Sequence, residues 1–512
     1  MSNAQDFKNR VPITIAIMLA TVMQSLDTTI ANVALPHMQG SVSASAEQIT
    51  WVLTSYIVAG AIMTPLSGWL SDRIGRKRVF LISIGGFTIA SMLCGIATSL
   101  PEIVLFRLLQ GVCGAALMPL AQSVLLDINP KEKHGQAMAV WGMGAILGPL
   151  LGPAVGGYFT ENFSWRWCFY INLPIGVLAF LGVLFFLSKD GQSQAKKFDF
   201  LGFGMLTLFI AGLQMMLDRG PSQDWFQSRE IWTEVILAAI GLWVFIVHTA
   251  TTSHPFFDPY LLRDRNFLTA CIFGFFVGIL LFATTALLPP LMQVVLGYPV
   301  LTSGLVSMPR GLGSMTAMFI VGRLSNRVGT RNMLLAGLAV SILSYWEMSH
   351  FDLSMSSGPL IVAGILQGFG MGMVFVPMTI LAFATLPIRL RPEGSSAFTL
   401  MRNLGASVGI SITNALLVAN TSTMHASLAA KIIPSNAVVH AAATHGGIDL
   451  STVGGLSALN SEITRQATMV AYLDDFRLMF FIAIACIPLL LMMRKPRRAP
   501  GAEPEPIHAA VE

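Results

Sequence analysis

The sequence predicts an all-α polytopic membrane protein of fourteen transmembrane helices, two six-helix bundles with an inserted two-helix hairpin, and three observations carry that prediction. Of 512 residues, 54% are hydrophobic and only 11% charged, with a mean hydropathy of +0.68, whereas a soluble globule carries roughly a quarter charged residues. About fourteen apolar runs reach the length that crosses a bilayer. The chain also repeats itself once, in register, across its two halves.

In chain order, the first run covers residues 11–36. Lys8 and Arg10 precede it as they would in a signal peptide, yet the run is too long and has no small-residue cleavage site, so it is expected to stay as the first helix. Runs at 49–70, 78–99, 101–125, 137–160 and 167–188 complete a first bundle within 1–190. Runs 199–217 and 230–250 have no counterpart in the repeat and make the hairpin, within 191–262. The second bundle, within 263–493, takes 267–292, 302–321, 331–350, 359–383, 394–417 and 472–493. Its outside segment, 418–471, is rich in Ala, Ser and Thr with Gly446-Gly447 and Gly454-Gly455 turns, and Ser461 to Met493 is expected to run as one helix rising above the membrane. A tail, 494–512, is basic, then rich in Pro, Ala and Glu, a composition that does not fold alone.

The repeat is specific. Gly68-Trp-Leu-Ser-Asp72-Arg73-Ile-Gly75 returns as Gly322-Arg-Leu-Ser-Asn326-Arg327-Val-Gly329 at an offset of 254. Leu109-Gln110-Gly111 returns as Leu366-Gln367-Gly368, and Gly148 and Gly152 as Gly405 and Gly409, all at 257. Four matches in register imply two homologous bundles, an architecture of transporters.

Charge fixes the orientation and excludes other classes. With the N-terminus cytoplasmic, 22 of the 31 Lys and Arg fall on the inside and five on the outside, a skew that places both termini in the cytoplasm. The net charge of +5 therefore belongs to loops at a membrane face and gives no nucleic-acid signal. Five cysteines lie in or beside apolar runs without a CxxC, so neither a disulfide framework nor a metal site is expected. No cofactor motif, Walker A sequence or nucleophile constellation is present, so the chain is not expected to be an enzyme and its energy would come from a gradient.

Asp27 is the one charge between Val11 and Pro36. An ionisable group near mid-span costs about 2.5–3.5 kcal/mol, which makes Asp27 a candidate for binding and releasing a proton. Its depth, roughly 13 Å below the outer edge, nearly matches that of Arg107, roughly 9 Å below. The two would pair or share a watery cavity; the alternative is that Asp27 bonds Thr28, Asn32 or nearby backbone and steadies packing. Gln24, Asn32, Gln110 and Gln367, polar residues on apolar helices, are candidates to line a cavity. Arg310 and Arg402-Asn403, each about 12 Å inside its span, either line it too or pair across the bundle. Asp474, Asp475, Arg477 and Glu347 fall near outer helix ends, where solvation makes a charge cheap.

Gly68, Asp72, Arg73 and Gly75 lie in a short loop crowded with Arg76, Lys77 and Arg78, which as bases simply hold the loop inside. Gly144, Gly148, Gly152 and Gly156 recur every fourth residue, with Pro149, Pro153 and Gly157 among them. That spacing puts the glycines on one helix face and predicts a close-packed, proline-bent helix at the interface of the halves. Met18, Met23, Met118, Met143, Met371, Met373 and Met378 form a class of soft side chains suited to a pocket of broad selectivity.

Residues Leu26 to Pro36, Gly68 to Arg78, Arg107-Leu-Leu-Gln110-Gly111 and Gly144 to Gly157 resemble, in order, the first-helix, loop, helix-four and helix-five antiporter motifs of the major facilitator superfamily. Fourteen spans make the chain similar to its EmrB/QacA-type drug:proton antiporters. Leu217-Asp218-Arg219-Gly220, Asp224-Trp225-Phe226, Trp165-Arg166-Trp167 and Ile171-Asn172-Leu173-Pro174 look most like the EmrB-like members. The resemblance implies a bacterial inner-membrane antiporter exporting hydrophobic or amphipathic drugs against protons, with a periplasmic EmrA-like adaptor and an outer-membrane TolC-like channel as partners. It gives the helix-four Arg a part in proton coupling, sets Asp72 against a helix N-terminus of the other half as a cytoplasmic latch, and makes the glycine helix the antiporter motif. The alternative is a narrow exporter of one metabolite such as a fatty acid, siderophore or phenolic acid. Acids deep in the second half are few, so the resemblance names no second proton site.

Overall fold

The computed structural model describes residues 9–49, 51–130, 133–188, 198–324, 328–387, 390–432 and 452–492. Asn326 and Arg327 of the second loop copy, residues 433–451 of the outside segment and the whole tail lie outside the described residues. The first half contains α1 (Arg10–Ser41), α2 (Trp51–Met63), α3 (Leu66–Ile74), α4 (Arg76–Ile96), α5 (Leu100–Gly114), α6 (Leu117–Ile128), α7 (His134–Asn162), α8 (Trp167–Tyr170) and α9 (Asn172–Phe186). Then come α10 (Phe200–Arg219) and α11 (Arg229–Thr251). The second half contains α12 (Arg265–Pro290), α13 (Val300–Leu324), α14 (Thr330–Met348), α15 (Ser357–Ala384), α16 (Arg391–Ala429) and α17 (Val453–Met492).

Local sequence explains the breaks. Pro65 has no N–H to donate, and the chain bends by 55° between α2 and α3 there. Gly75 turns α3 into α4 at φ 88°, a left-handed value that favours glycine. Pro289 and Pro290 end α12, and a π-helical turn, Leu291–Val295, follows. Among the described residues, ten helices are long and apolar enough to span a membrane, and the bent pair α2–α3 makes eleven. The three other expected spans form as helices α13, α14 and α17 but fall short of that measure. Arg310 and Arg323 interrupt the first, Arg331 and Glu347 the second, and Asp474, Asp475 and Arg477 the third.

The sequence repeat is also a packing repeat. In the first half α1 packs on α7, α2 on α5, and α4 on α5 and α9; in the second, α12 packs on α16, α13 on α15, and α14 on α15 and α17. The glycines serve the same contacts, since Gly148 meets Ser25 of α1 while its counterpart Gly405 meets Phe275 of α12. Helices α10 and α11 pack on each other and stand outside this correspondence. Helix α10 lies against both halves, with Leu206 and Ile210 beside Ala61 of α2 and Leu400 and Leu404 of α16. Polar ties fasten its far end, where Thr54 donates to Asp218 and the Ser411 hydroxyl donates to the Leu217 carbonyl at 2.7 Å.

The halves meet at the end where α1 begins. Helix α7 touches α13 through Ala139 with Gly322, Gly142 with Met318 and Leu150 with Gly311, and Trp141 stacks on Phe375 of α15 at 5.5 Å. From the other half, α16 packs on α3 and α6. Toward the opposite end Thr28 and Asn32 of α1 are exposed. The contacts of α16 with α3 and α6 thus close the bundle at the end where α1 begins.

Candidate functional site

Asp27 is 0% exposed and every donor around it comes from the first half. Its Oδ2 accepts from Arg107 Nη1 at 2.7 Å, and its Oδ1 accepts from Gln110 Nε2 at 2.9 Å and Asn172 Nδ2 at 2.8 Å. Arg107, 0% exposed as well, also donates to the Gln110 side-chain carbonyl and, through Nε, to the Val52 backbone at 3.1 Å. Its guanidinium lies 4.2 Å from the centre of the Tyr56 ring, a contact that stabilises a desolvated cation. Asn172 is oriented by Ser91, which itself donates to the Phe169 carbonyl at 2.9 Å. The depth argument from α1 and α5 thus ends in a direct ion pair. The alternative in which Asp27 bonds Thr28 or Asn32 is corrected: those two lie one face round the helix, exposed. Breaking such a buried pair costs about 3–5 kcal/mol, so the positions of the two side chains are tightly linked.

The second half carries an uncharged version of this knot. Thr284, at the offset of 257 from Asp27, lies 3.4 Å from the Tyr345 hydroxyl, and Gln367, at 257 from Gln110, donates to the same hydroxyl at 3.4 Å. Gly364 stands where Arg107 would be. The last helix of each half joins in, Asn172 in the first and Met479 in the second, the latter 3.3 Å from Thr284. Duplication has kept the geometry and left the charge in one copy.

Helix α7 runs unbroken through Pro149 and Pro153. Pro149 cannot donate to the Ala145 carbonyl, and Ser25 of α1 supplies the missing donor at 2.5 Å. Thr29 likewise donates to the Gly148 carbonyl at 3.0 Å. Gly144, Gly148 and Gly152 face Met18, Ser25 and Thr29, so the glycine stripe packs on α1 within its own half. The helix does lie at the interface of the halves, as expected, through its contact with α13, but the glycines face α1. The period of four aligned the glycines; the neighbour was chosen by packing, and other residues of α7 meet α13. Gly156 is buried and accepts from Thr160, while Gly157 faces open space.

The remaining candidates divide. Gln110 and Gln367 are wholly buried, Gln24 and Asn403 half-buried, and Asn32 exposed. Arg310 donates to the Leu281 carbonyl at 3.0 Å and to Thr285 at 2.8 Å, both on α12. Arg402 sits 9% exposed with its guanidinium 5.5 Å from the Phe375 ring centre. Neither pairs with a carboxylate among the described residues. Asp474, Arg477 and Glu347 reach solvent as expected, whereas Asp475 does not: it is 1% exposed because α17 turns it inward.

At the closed end, Gly68 lies so close to α16 that a Cβ there would stand 2.8 Å from Glu393 Cα. Ser67 and Ser396 hydroxyls are 2.9 Å apart, and Ser395 lies 2.9 Å from Gln122 Oε1. Asp72 follows one turn beyond Gly68 on α3. Arg73 stacks on Trp69 at 4.9 Å, and Lys77 caps the end of α9 through the Leu184 carbonyl at 2.7 Å. Asp127, which sequence reasoning passed over, accepts from Arg76 of its own half and from Arg391 of the other at 2.8 Å. Its signal was present, an acid at the inner end of an apolar run. Asn172 and Ser91 had only the signal of polarity, which many membrane helices share.

A two-fold repeated helical bundle, closed at one end and carrying a buried acid–base pair in its first half, defines the class of membrane transporters. The chain belongs to the Major Facilitator Superfamily, whose family model matches residues 17–410. It is 35% identical to the multidrug export protein EmrB of Escherichia coli (strain K12), over 95% of this chain and 96% of that protein. It is also 34% identical to the fatty acid resistance protein FarB of Neisseria gonorrhoeae, over 96% and 97%. Among solved structures, the human organic anion transporter MFSD10 (TETRAN) superposes with a TM-score of 0.60 at 16% identity, covering 93% of this chain and 99% of that one, a likeness of fold. The protein is a multi-pass membrane transporter and not an enzyme.

Proposed function

We propose that this protein is a proton-coupled antiporter that exports hydrophobic or amphipathic compounds from the cytoplasm, with fourteen crossings and both termini inside. The single observation that carries the reading is the Asp27–Arg107 pair, 2.7 Å apart and shielded from solvent in an apolar bundle. In this reading the closed end is cytoplasmic, because the basic loops gather there, and the described conformation opens outward. A proton reaching Asp27 neutralises it and frees Arg107, and the bundles then rock about the α7–α13 contact. Asp72, Arg73 and the Asp127 bridge latch the inner end while the outer end is open. One charge crossing about 100 mV yields about 2.3 kcal/mol, which sustains roughly a 40-fold substrate gradient per proton. In proteoliposomes, an acid pulse outside is expected to drive movement of a lipophilic dye, and an uncoupler to abolish it. Dye movement indifferent to the uncoupler would remove the coupling.

Similarity to EmrB also supports assembly with a periplasmic adaptor and an outer-membrane channel in the bacterial inner membrane. Helices α16 and α17, of 39 and 40 residues, run to nearly 60 Å each against a hydrocarbon core of about 30 Å. Their projecting ends and the loop Asp218 to Glu230 are the docking surfaces. A photoreactive group at Trp225 is expected to capture the adaptor in cells making both proteins; repeated absence of that adduct counts against docking there. Similarity to FarB favours a second reading, export of a fatty acid, and a counterflow panel of drugs against fatty acids separates the two.

A further inference from the structure

We propose that Asp475 is a second proton-binding carboxylate, in the half that lacks a counterpart of the Asp27–Arg107 pair; this extends the proton-coupled reading above and rests on it. Asp475 is 1% exposed, and neither of its carboxylate oxygens has a hydrogen-bond donor among the described residues. A structural aspartate is held by donors, as Asp27 is. An ionised carboxylate without them costs several kcal/mol, whereas the neutral acid does not. Burial without partners therefore makes Asp475 a group that holds a proton in this conformation and releases it when water reaches it.

Its depth matches. Asp475 lies seventeen residues from the inner end of α17 at Met492, and Asp27 seventeen from the inner end of α1 at Arg10, about 26 Å in each case. Around it on α17 are Tyr472, Phe476 and Met479, all nearly or wholly buried, with Phe351 against Phe476 at 6.1 Å. The charged and titratable groups nearby are otherwise engaged. On its own helix Asp474 pairs with Arg477 at 3.0 Å. On α14 Tyr345 donates to the Leu280 carbonyl of α12 at 3.0 Å, and Glu347 and, just beyond the helix, His350 lie toward its surface. Arg310 of α13 is spent on Leu281 and Thr285, and Arg402 of α16 lies over Phe375.

An open, partly polar cleft lies above it on the same helix. This cleft, of about 620 Å³, lies between the projecting ends of α16 and α17 and is lined by Thr421, His425, Thr464 and Thr468 among others. Thr468 precedes Asp475 by seven residues, so it stands on the same face about 10 Å nearer the outside. Water in this cleft delivers a proton to the carboxylate, forming the O–H bond of the neutral acid, and takes it back on release.

The test is infrared titration of the full-length protein in lipid, comparing wild type with Asp475→Asn, Asp475→Glu and Asp27→Asn. The protonated-carboxyl stretch is expected at neutral pH in wild type and in Asp27→Asn, shifted in Asp475→Glu and missing in Asp475→Asn. A spectrum unchanged in both Asp475 variants overturns the proposal, and the wild-type and Asp475→Glu spectra answer the question even if Asp475→Asn does not fold. In proteoliposomes Asp475→Asn is expected to halve the proton-to-substrate ratio, and an unaltered ratio also overturns it. Should flux prove indifferent to uncouplers while the band still follows Asp475, the coupled-exporter reading fails and the proton assignment stands.

Discussion

Asp27→Asn is expected to abolish acid-driven efflux while leaving a folded protein that still exchanges substrate by counterflow. The amide fits the space but binds no proton, and it replaces a carboxylate that accepts from Arg107, Gln110 and Asn172 together. It leaves Arg107 without a counter-charge in a fully buried site, at a cost of about 3–5 kcal/mol. Heat stability should therefore drop along with coupling. Adding Arg107→Gln removes the stranded cation, so the double variant is expected to recover stability and not coupling. Acid-pulse transport at the wild-type rate in Asp27→Asn would sink the role given to this pair.

The second large effect is expected at the closed end. Asp127→Asn strips the shared partner from Arg76 and Arg391, which reach it from opposite halves. Two neighbouring cations, at the starts of α4 and α16, are then left without their shared partner on α6. Because Asp127 is partly solvated, a weight of about 1.4 kcal/mol is appropriate, equivalent to a tenfold shift toward the conformer open at that end. Thiol labelling of a cysteine placed at Ser396, buried in the closed conformer, should rise about tenfold, and Arg391→Ala should do the same. Labelling that stays at the wild-type level in both variants would deny the bridge a part in the latch.

Most of the fold was legible because membrane helices announce themselves by length and apolarity, and duplication doubled each signal. The site was half legible. Asp27 and Arg107 stood out as charges in apolar runs, and counting residues put them at one depth. Asn172, Ser91 and Asp127 did not stand out in the same way, since their roles depend on which neighbours they meet. The mistaken solvation of Asp475 has the same origin: near a helix end the sequence gives height, and exposure depends on the direction the side chain faces.

By itself the sequence determined the helical class, the two-fold repeat, the basic bias of one membrane face and the presence of one acid where acids are costly. Tertiary structure alone decided that the glycine face of α7 receives α1, that the second half keeps the knot without its charge, that Asp127 ties the halves and that Asp475 points inward without a donor among the described residues. The reason is geometric. A residue count converts to height along a helix at 1.5 Å each, but rotation about the axis and the choice of neighbour are set by how whole helices pack.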